Sequence, residues 1–278
     1  MQILGGESVE WLQSSTPPVI ATARFVMQKF TGQWYANEER GRVTVARITS
    51  MANDHEKEAA ARASLRFVRD GDVIGLGTGS TAAYLVRFLG ERVKAGLKIR
   101  GIPTSVKTAE AATSLGIPLT TLDEVQQIDV TIDGADEFDP QLRLIKGGGG
   151  ALLREKIVAS ASKKFVIIAD SSKQVPMLGK FPVPVEVIKF AEALVTKKIA
   201  AMGAVVTVRT DSSGKKFITD EGNHILDCHF GQIPDPPALA RKLETTPGVV
   251  EHGLFIGMAS IALIGKGDQV IEIPRKES

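Results

Sequence analysis

Cysteine is almost missing from this 278-residue sequence, and Cys228 has no second thiol in the chain to pair with. An intrachain disulfide is excluded, and such usage fits a reducing compartment. A surplus of one charge is missing too. Lys and Arg number 34 against 32 Asp and Glu, a net of +2, which argues against a dedicated nucleic-acid binder with its basic excess. No uncharged apolar run reaches the roughly 18 residues of a membrane helix. The longest, Gly253 to Ile264, is short and broken by glycine. There is no internal repeat and no low-complexity tract. What is present is ordinary, with 43% hydrophobic and 24% charged residues. That composition excludes a disordered chain and predicts a soluble, cytoplasmic protein of one large or two modest domains.

The first fifty residues stand apart. They hold both tryptophans (Trp11 and Trp34), Tyr35, Phe25, Phe30 and the run Thr16-Pro17-Pro18, with no sustained helical or strand period. A secretory signal opens on basic residues and an apolar core, but Glu7 and Glu10 stand there instead. A transit peptide is Arg/Ser-rich and poor in acids, whereas this segment mixes both signs. Residues 1–50 are therefore expected to form an N-terminal extension outside the fold, with Met51 as an alternative start.

From Met51 onward the periodicity becomes regular. Helical spacing covers residues 54–69, and the short apolar run Val73-Ile74-Gly75-Leu76 reads as a buried parallel strand. A helix over Ser80–Lys94 follows. Further strands are expected at Lys98–Ile102, Ile117–Thr120, Ile128–Asp133 and Phe165–Ala169, alternating with helices near Val106–Leu115 and Ala151–Ser162. Such alternation predicts an α/β fold with a sheet covered by helices on both faces.

The pattern changes at Phe181. Prolines at 182 and 184 suit a linker or an edge strand and not a central one. A helix (Ala191–Met202), a strand (Ala204–Thr210), a hairpin turn at Asp220-Glu221-Gly222-Asn223 and a helix (Pro237–Thr245) follow. This order predicts a small α+β subdomain of the split βαβ type over 181–257. Ala259–Gly265 and Gln269–Ile273 are expected to return to the first sheet, giving a catalytic domain of 51–180 and 258–278.

Chemistry concentrates in four loops. In Gly75-Leu76-Gly77-Thr78-Gly79-Ser80-Thr81, glycines let the backbone approach an anion, and the next helix offers free N–H groups. The loop reads as a phosphate cradle or as a plain tight turn. It is neither a Walker A loop nor a good dinucleotide fingerprint, because no Gly-Lys-Ser/Thr follows and Ser80 stands where the last glycine belongs. The second loop, Asp133-Gly134-Ala135-Asp136-Glu137, crowds three carboxylates at a strand end. These suit acid–base work, sugar-hydroxyl binding or simple turn capping. A divalent metal would need further ligands, and no paired histidine supplies them.

The third loop is Lys146 followed by Gly147, Gly148, Gly149 and Gly150, then a helix carrying Glu155. Four glycines cost much ordering entropy and allow a nest of N–H groups for an oxyanion. A carboxylate beside a lysine and such a nest suits proton removal α to a carbonyl. Glu155 also reads as a charge placed against the helix dipole. The fourth, Asp170-Ser171-Ser172-Lys173, offers a lysine either to a phosphate or to solvent.

Taken together, GLGTGSTAAYL, DGADE, KGGGGALLREK and ADSSKQVPMLGKFPVPVEVI resemble ribose-5-phosphate isomerase of type A over about residues 54–275, with ITDEGNHILDCHF and TPGVVEHGLF agreeing further on. The resemblance implies a Rossmann-like sheet domain with a small ferredoxin-like subdomain. It implies interconversion of D-ribose 5-phosphate and D-ribulose 5-phosphate in the pentose phosphate pathway, with no metal, no nucleotide cofactor, and a homodimer or homotetramer. It also implies Glu155 as the base and Asp133 and Asp136 as the acidic pair that holds sugar hydroxyls. Lys146 with Gly147, Gly148 and Gly149 lines the reacting end. Thr78, Gly79, Ser80, Thr81 and Lys173 are the substrate and phosphate contacts, with Gly134 and Ala135 in the acidic loop and Lys57 as a further phosphate contact. Gly150 departs from the family's usual alanine.

Other clusters carry less. On an alternating strand His224 and Cys228 share one face and His229 the other, so a metal site is not expected. Arg62, Arg66 and Arg69 read as a solvated face. Two other functional classes compete with the isomerase: a non-catalytic sugar-phosphate sensor on the same scaffold, and a nucleotide enzyme using the glycine loop. The second lacks an acid after the second strand to hold a ribose.

Overall fold

The computed structural model describes residues 27–30, 33–36 and 53–276. Contacts divide the chain into two units, Met1–Ala52 and Asn53–Ser278. In the first unit, β1 (Met27–Phe30) and β2 (Gln33–Ala36) pair antiparallel, with Met27 opposite Ala36. Four-residue strands hold too few alternations to stand out as a period. Glu7, Glu10, Trp11, Thr16-Pro17-Pro18, Phe25 and Met51 lie outside the described residues.

The second unit opens with helix α1 (residues 53–64), then alternates through β3 (Val73–Leu76), α2 (Ser80–Lys94), β4 (Arg100–Pro103), α3 (Val106–Ser114) and β5 (Val130–Asp133). Two very short strands follow, β6 (Glu137–Phe138) and β7 (Leu144–Ile145), then α4 (Leu152–Ser160) and β8 (Phe165–Asp170). Next come β9 (Val183–Val187), α5 (Glu192–Ala201), β10 (Val205–Val208), β11 (His224–His229), α6 (Pro236–Glu244) and β12 (Val249–His252). The chain closes through β13 (Leu254–Phe255), β14 (Ile261–Lys266) and β15 (Gln269–Pro274).

The main sheet has the order β15-β14-β8-β5-β3-β4. It is parallel from β14 to β4, with β15 antiparallel at one edge. β8 is buried along its whole length, because a central strand meets helices on both faces. Val166 and Ile168 join the core of Leu85, Phe88 and Leu89 from α2. Phe165, Ile167 and Ala169 face the opposite core with Phe138, Ala159 and Phe255. This alternation is the period of two expected of a strand.

The small sheet is entirely antiparallel, in the order β10-β11-β9-β12. Val183, Val185, Val187 and Leu226 cover one face against Val195 and Ile199 of α5 and Leu243 of α6. A third sheet, β13-β7-β6, joins the two regions. Two-residue strands leave no periodic trace, so its existence was not legible in the sequence.

Two expectations are corrected. Residues 117–120 form only an isolated bridge, Gly101 to Leu119, beside β4. More instructive is β9, which lies between β11 and β12 despite Pro184. The Pro184 carbonyl accepts Gly253 N–H at 2.7 Å, and the Gly253 carbonyl is taken at 2.9 Å by Lys146 N–H. A donor at residue 184 is therefore not needed, which is how a central strand tolerates proline. The approach is tight: a Cβ on Gly253 would lie 2.2 Å from the Lys146 carbonyl oxygen.

Candidate active site

The site forms where β3, β5 and β7 end, outside the carboxyl edge of the parallel strands, as the topology of open α/β sheets directs. β5 ends on Asp133, which is 1% exposed. β7 delivers Lys146, 2% exposed, and α4 carries Glu155 in its first turn, 4% exposed. Such burial of three ionisable groups is tolerated only when they compensate one another.

Asp133 is well satisfied. Its Oδ1 accepts N–H bonds from Thr78 at 3.0 Å and Gly134 at 2.7 Å, and its Oδ2 accepts Lys146 Nζ at 2.9 Å. Lys146 Nζ also donates to the Gly134 carbonyl at 2.6 Å. Its next neighbour is Glu155 Oε2 at 3.5 Å. That oxygen is buried and has no hydrogen-bond partner among the described residues. Burial pushes the Glu155 carboxyl up to about 8, with Lys146 pulling the other way and Asp133 and Asp136 adding to the rise. Burial works against the Lys146 ammonium, but the charges of Asp133 and Glu155 outweigh it and keep the lysine protonated. Burial pushes the Asp133 carboxyl up as well, opposed by Lys146 and by the Gly134 and Thr78 N–H groups. Asp133 has three donors and Glu155 one loose contact, so Glu155 is the less satisfied carboxyl and the one poised to exchange a proton.

The glycine loop lies against this centre. Gly148 N–H donates to Asp136 Oδ2 at 2.7 Å. A Cβ on Gly77 would lie 2.2 Å from Asp133 Oδ1, so only glycine lets the first loop come so near the carboxylate. Gly150 is explained by contact as well: a Cβ there would lie 2.5 Å from Cζ of Phe217. Arg154 and Lys156 flank Glu155 in sequence and hold α4 to the small-sheet region. Arg154 Nε reaches Glu221 Oε1 at 2.6 Å, and Lys156 Nζ reaches Glu251 Oε1 at 2.6 Å.

Most of the residues named from sequence come together here. Thr78 bonds Asp133, Gly134 and Gly147 adjoin Lys146, and a Cβ on Gly149 would lie 3.9 Å from Thr78 Cγ2. Gly79 and Ser80 are exposed at the start of α2, Thr81 is buried behind them, and Ala135 is half-buried. Lys173 sits apart, half-buried in the short turn Ser171–Lys173, with no hydrogen bond to the Lys146 cluster among the described residues. Glu56 of α1 accepts Ser171 N–H at 2.9 Å, which places α1 beside that turn. The neighbouring Lys57 pairs with Asp54 at 3.1 Å.

Sequence reading missed four groups. Thr104, Ser105 and Thr108 surround the Thr78 hydroxyl at 2.7, 2.9 and 3.1 Å. Their place just after β4 was the available signal. Arg209, whose Nη1 donates to the Gly147 carbonyl at 2.8 Å, comes from 62 residues away and had no local signal. His224 pairs with Glu192 at 2.5 Å, Cys228 is buried, and no cluster of metal-binding side chains occurs among the described residues. Arg62 and Arg66 are exposed and ion-paired, with Glu58 at 3.3 Å and Glu272 at 2.6 Å.

Fold and site thus define an α/β protein with a buried carboxylate–lysine–carboxylate centre suited to moving protons. Residues 100–269 match the family model of ribose 5-phosphate isomerase A (phosphoriboisomerase A). A ribose-5-phosphate isomerase A from Parvibaculum lavamentivorans is 55% identical over 230 residues, 80% of this chain and 100% of that protein. The ribose 5-phosphate isomerase of Plasmodium falciparum superposes with a TM-score of 0.77 at 41% identity, over 81% of this chain and 100% of the other. A D-ribose-5-phosphate isomerase in complex with phospho-erythronic acid gives 0.78 at 41% identity, over 80% and 99%. The chain belongs to the ribose 5-phosphate isomerase A family, as the four loops had indicated.

Proposed function

We propose that this protein interconverts D-ribose 5-phosphate and D-ribulose 5-phosphate by proton transfer through an enediolate. The observation that carries the reading is Glu155: a buried carboxylate, raised to about 8, whose free oxygen lies 3.5 Å from a lysine fixed by Asp133. In the forward direction the Glu155 carboxylate takes the proton on C2 of the open-chain aldose. The C2–H electrons form the C1=C2 bond, and the carbonyl pair moves to O1. Lys146 and the Gly147–Gly149 loop stabilise the charge on O1. The proton on Glu155 then passes to C1, the O2 proton moves to O1, and the carbonyl re-forms at C2.

Asp133 and Asp136 hold sugar hydroxyls and assist ring opening, with Gly134 and Ala135 beside them. Thr78, Gly79, Ser80, Thr81, Lys57 and Lys173 contact the substrate and its phosphate. No metal or nucleotide is required in this scheme. We place the enzyme in the cytoplasm as a homodimer or homotetramer with no nucleic-acid partner. Residues 51–180 and 258–278 form its catalytic domain, 181–257 its small subdomain, and 1–50 an extension.

A coupled assay with ribose 5-phosphate in excess chelator tests the reading. Metal-independent turnover, lost in Glu155→Gln, supports it. Saturable binding of the sugar phosphate without turnover points to a sensor and overturns it.

A further inference from the structure

The segment between β10 and β11 reaches from the small sheet onto the glycine loop, and Arg209 is its central contact. The Arg209 side chain is only 12% exposed. Its Nε and Nη2 donate to the two carboxylate oxygens of Asp227, at 2.9 and 2.5 Å. This is the planar two-point pairing that a guanidinium makes and an ammonium does not. Nη1 is left to donate to the carbonyls of Gly147 at 2.8 Å and Gly148 at 3.2 Å. Phe217, whose ring centroid is 6.0 Å from the guanidinium carbon, packs over Gly150.

Consecutive glycines have great conformational freedom; one bond closes the loop on itself, from Gly150 N–H to the Gly147 carbonyl at 2.9 Å, and Arg209 adds a hold from outside it. In a trans peptide the carbonyl of one residue and the N–H of the next point in opposite directions, and no cis peptide occurs among the described residues. Drawing the carbonyls of Gly147 and Gly148 toward Arg209 therefore turns the N–H groups of Gly148 and Gly149 the other way. The first of these does point away, to Asp136 at 2.7 Å.

We propose that Arg209, oriented by Asp227, is a positioning residue that fixes the peptide planes of the glycine loop, so that the Gly148 N–H holds Asp136 and the Gly149 N–H faces the reacting end of the substrate. The proposal rests on the isomerase reading above. A residue on the small sheet thereby sets the donor geometry of a loop anchored on the large one.

The test uses the full chain with Arg209→Ala, Arg209→Lys and Asp227→Asn. Displacing catalytic donors by about 1 Å costs on the order of 10²-fold. Arg209→Ala is thus expected to lower kcat by about 10- to 100-fold with little change in KM, and Arg209→Lys to remain impaired. Added guanidinium should restore part of the Arg209→Ala rate and none of the Arg209→Lys rate. Hydrogen exchange of the amides at 148–150 should quicken in Arg209→Ala and Asp227→Asn while β8 stays protected. A wild-type kcat in Arg209→Ala, a rise in KM alone, or unchanged exchange at the loop each overturns the proposal. An inactive wild-type chain would overturn the isomerase reading instead, and loop exchange would still decide whether Arg209 holds the glycines.

Discussion

Lys146 stands between two buried carboxylates and treats them unequally: its Nζ is 2.9 Å from Asp133 and 3.5 Å from Glu155. Asp133 adds two backbone N–H donors, whereas Glu155 Oε2 has none among the described residues. Two acids of the same chemistry are thereby given different surroundings, one held by three donors and one left free to carry a proton.

Removing that carrier should stop the chemistry and spare the fold. General base catalysis is worth about 10²–10⁴-fold, so Glu155→Gln is expected to lose about that much kcat while still binding a sugar phosphate. Steady-state kinetics with calorimetric binding check both halves. Full turnover in the variant would remove Glu155 from the mechanism.

The raised pKa sets a pH profile. Glu155 must be ionised to accept a proton, and burial holds it near 8. From about pH 6.5, where the substrate phosphate is already mostly dianionic, kcat/KM should rise with pH, pass half its plateau near 8 and level off about one pH unit higher. A profile flat across that range contradicts the assignment.

Stability should run the opposite way. The Glu155 carboxyl has an ordinary value of 4.5 and a folded value of about 8. A raised pKa means the folded protein holds the proton more tightly. This contribution is complete below 4.5 and is lost as pH rises through 8. Glu155→Gln has no such proton to lose, so its melting temperature should gain on the wild type between pH 5 and 8. A constant difference across that range would refute the linkage.

At the joint between the two larger sheets, Gly253→Ala should be costly. Its Cβ would meet the Lys146 carbonyl oxygen at 2.2 Å and Pro184 Cδ at 2.6 Å. Overpacking of this kind costs about 1–3 kcal/mol, or roughly 2–4 °C of melting temperature per kcal/mol in a domain of this size. Because Lys146 shares the contact, activity should fall with stability. Thermal melts and kinetics on one preparation compare the two.

The missed third sheet and the misread β9 have related causes. Two-residue strands such as β7 show no period. Pro184 looks disqualifying until its absent N–H is seen to fall opposite a Gly253 carbonyl already bonded to Lys146. Arg209 lay hidden because its partners, Gly147 and Asp227, are brought to it by β-pairing and not by sequence spacing.

The sequence by itself determined the alternation of strands and helices, the buried strands of the main sheet and the four loops that carry the reactive groups. These depend on local periodicity and on glycine, aspartate and lysine chemistry at strand ends. Tertiary structure alone decided which carboxylate is satisfied and which is left free, and that a small-sheet arginine holds the glycine loop. Proton affinity depends on burial and on donors from distant segments, and only the folded chain brings Thr78, Asp133, Lys146 and Glu155 within a few ångströms of one another.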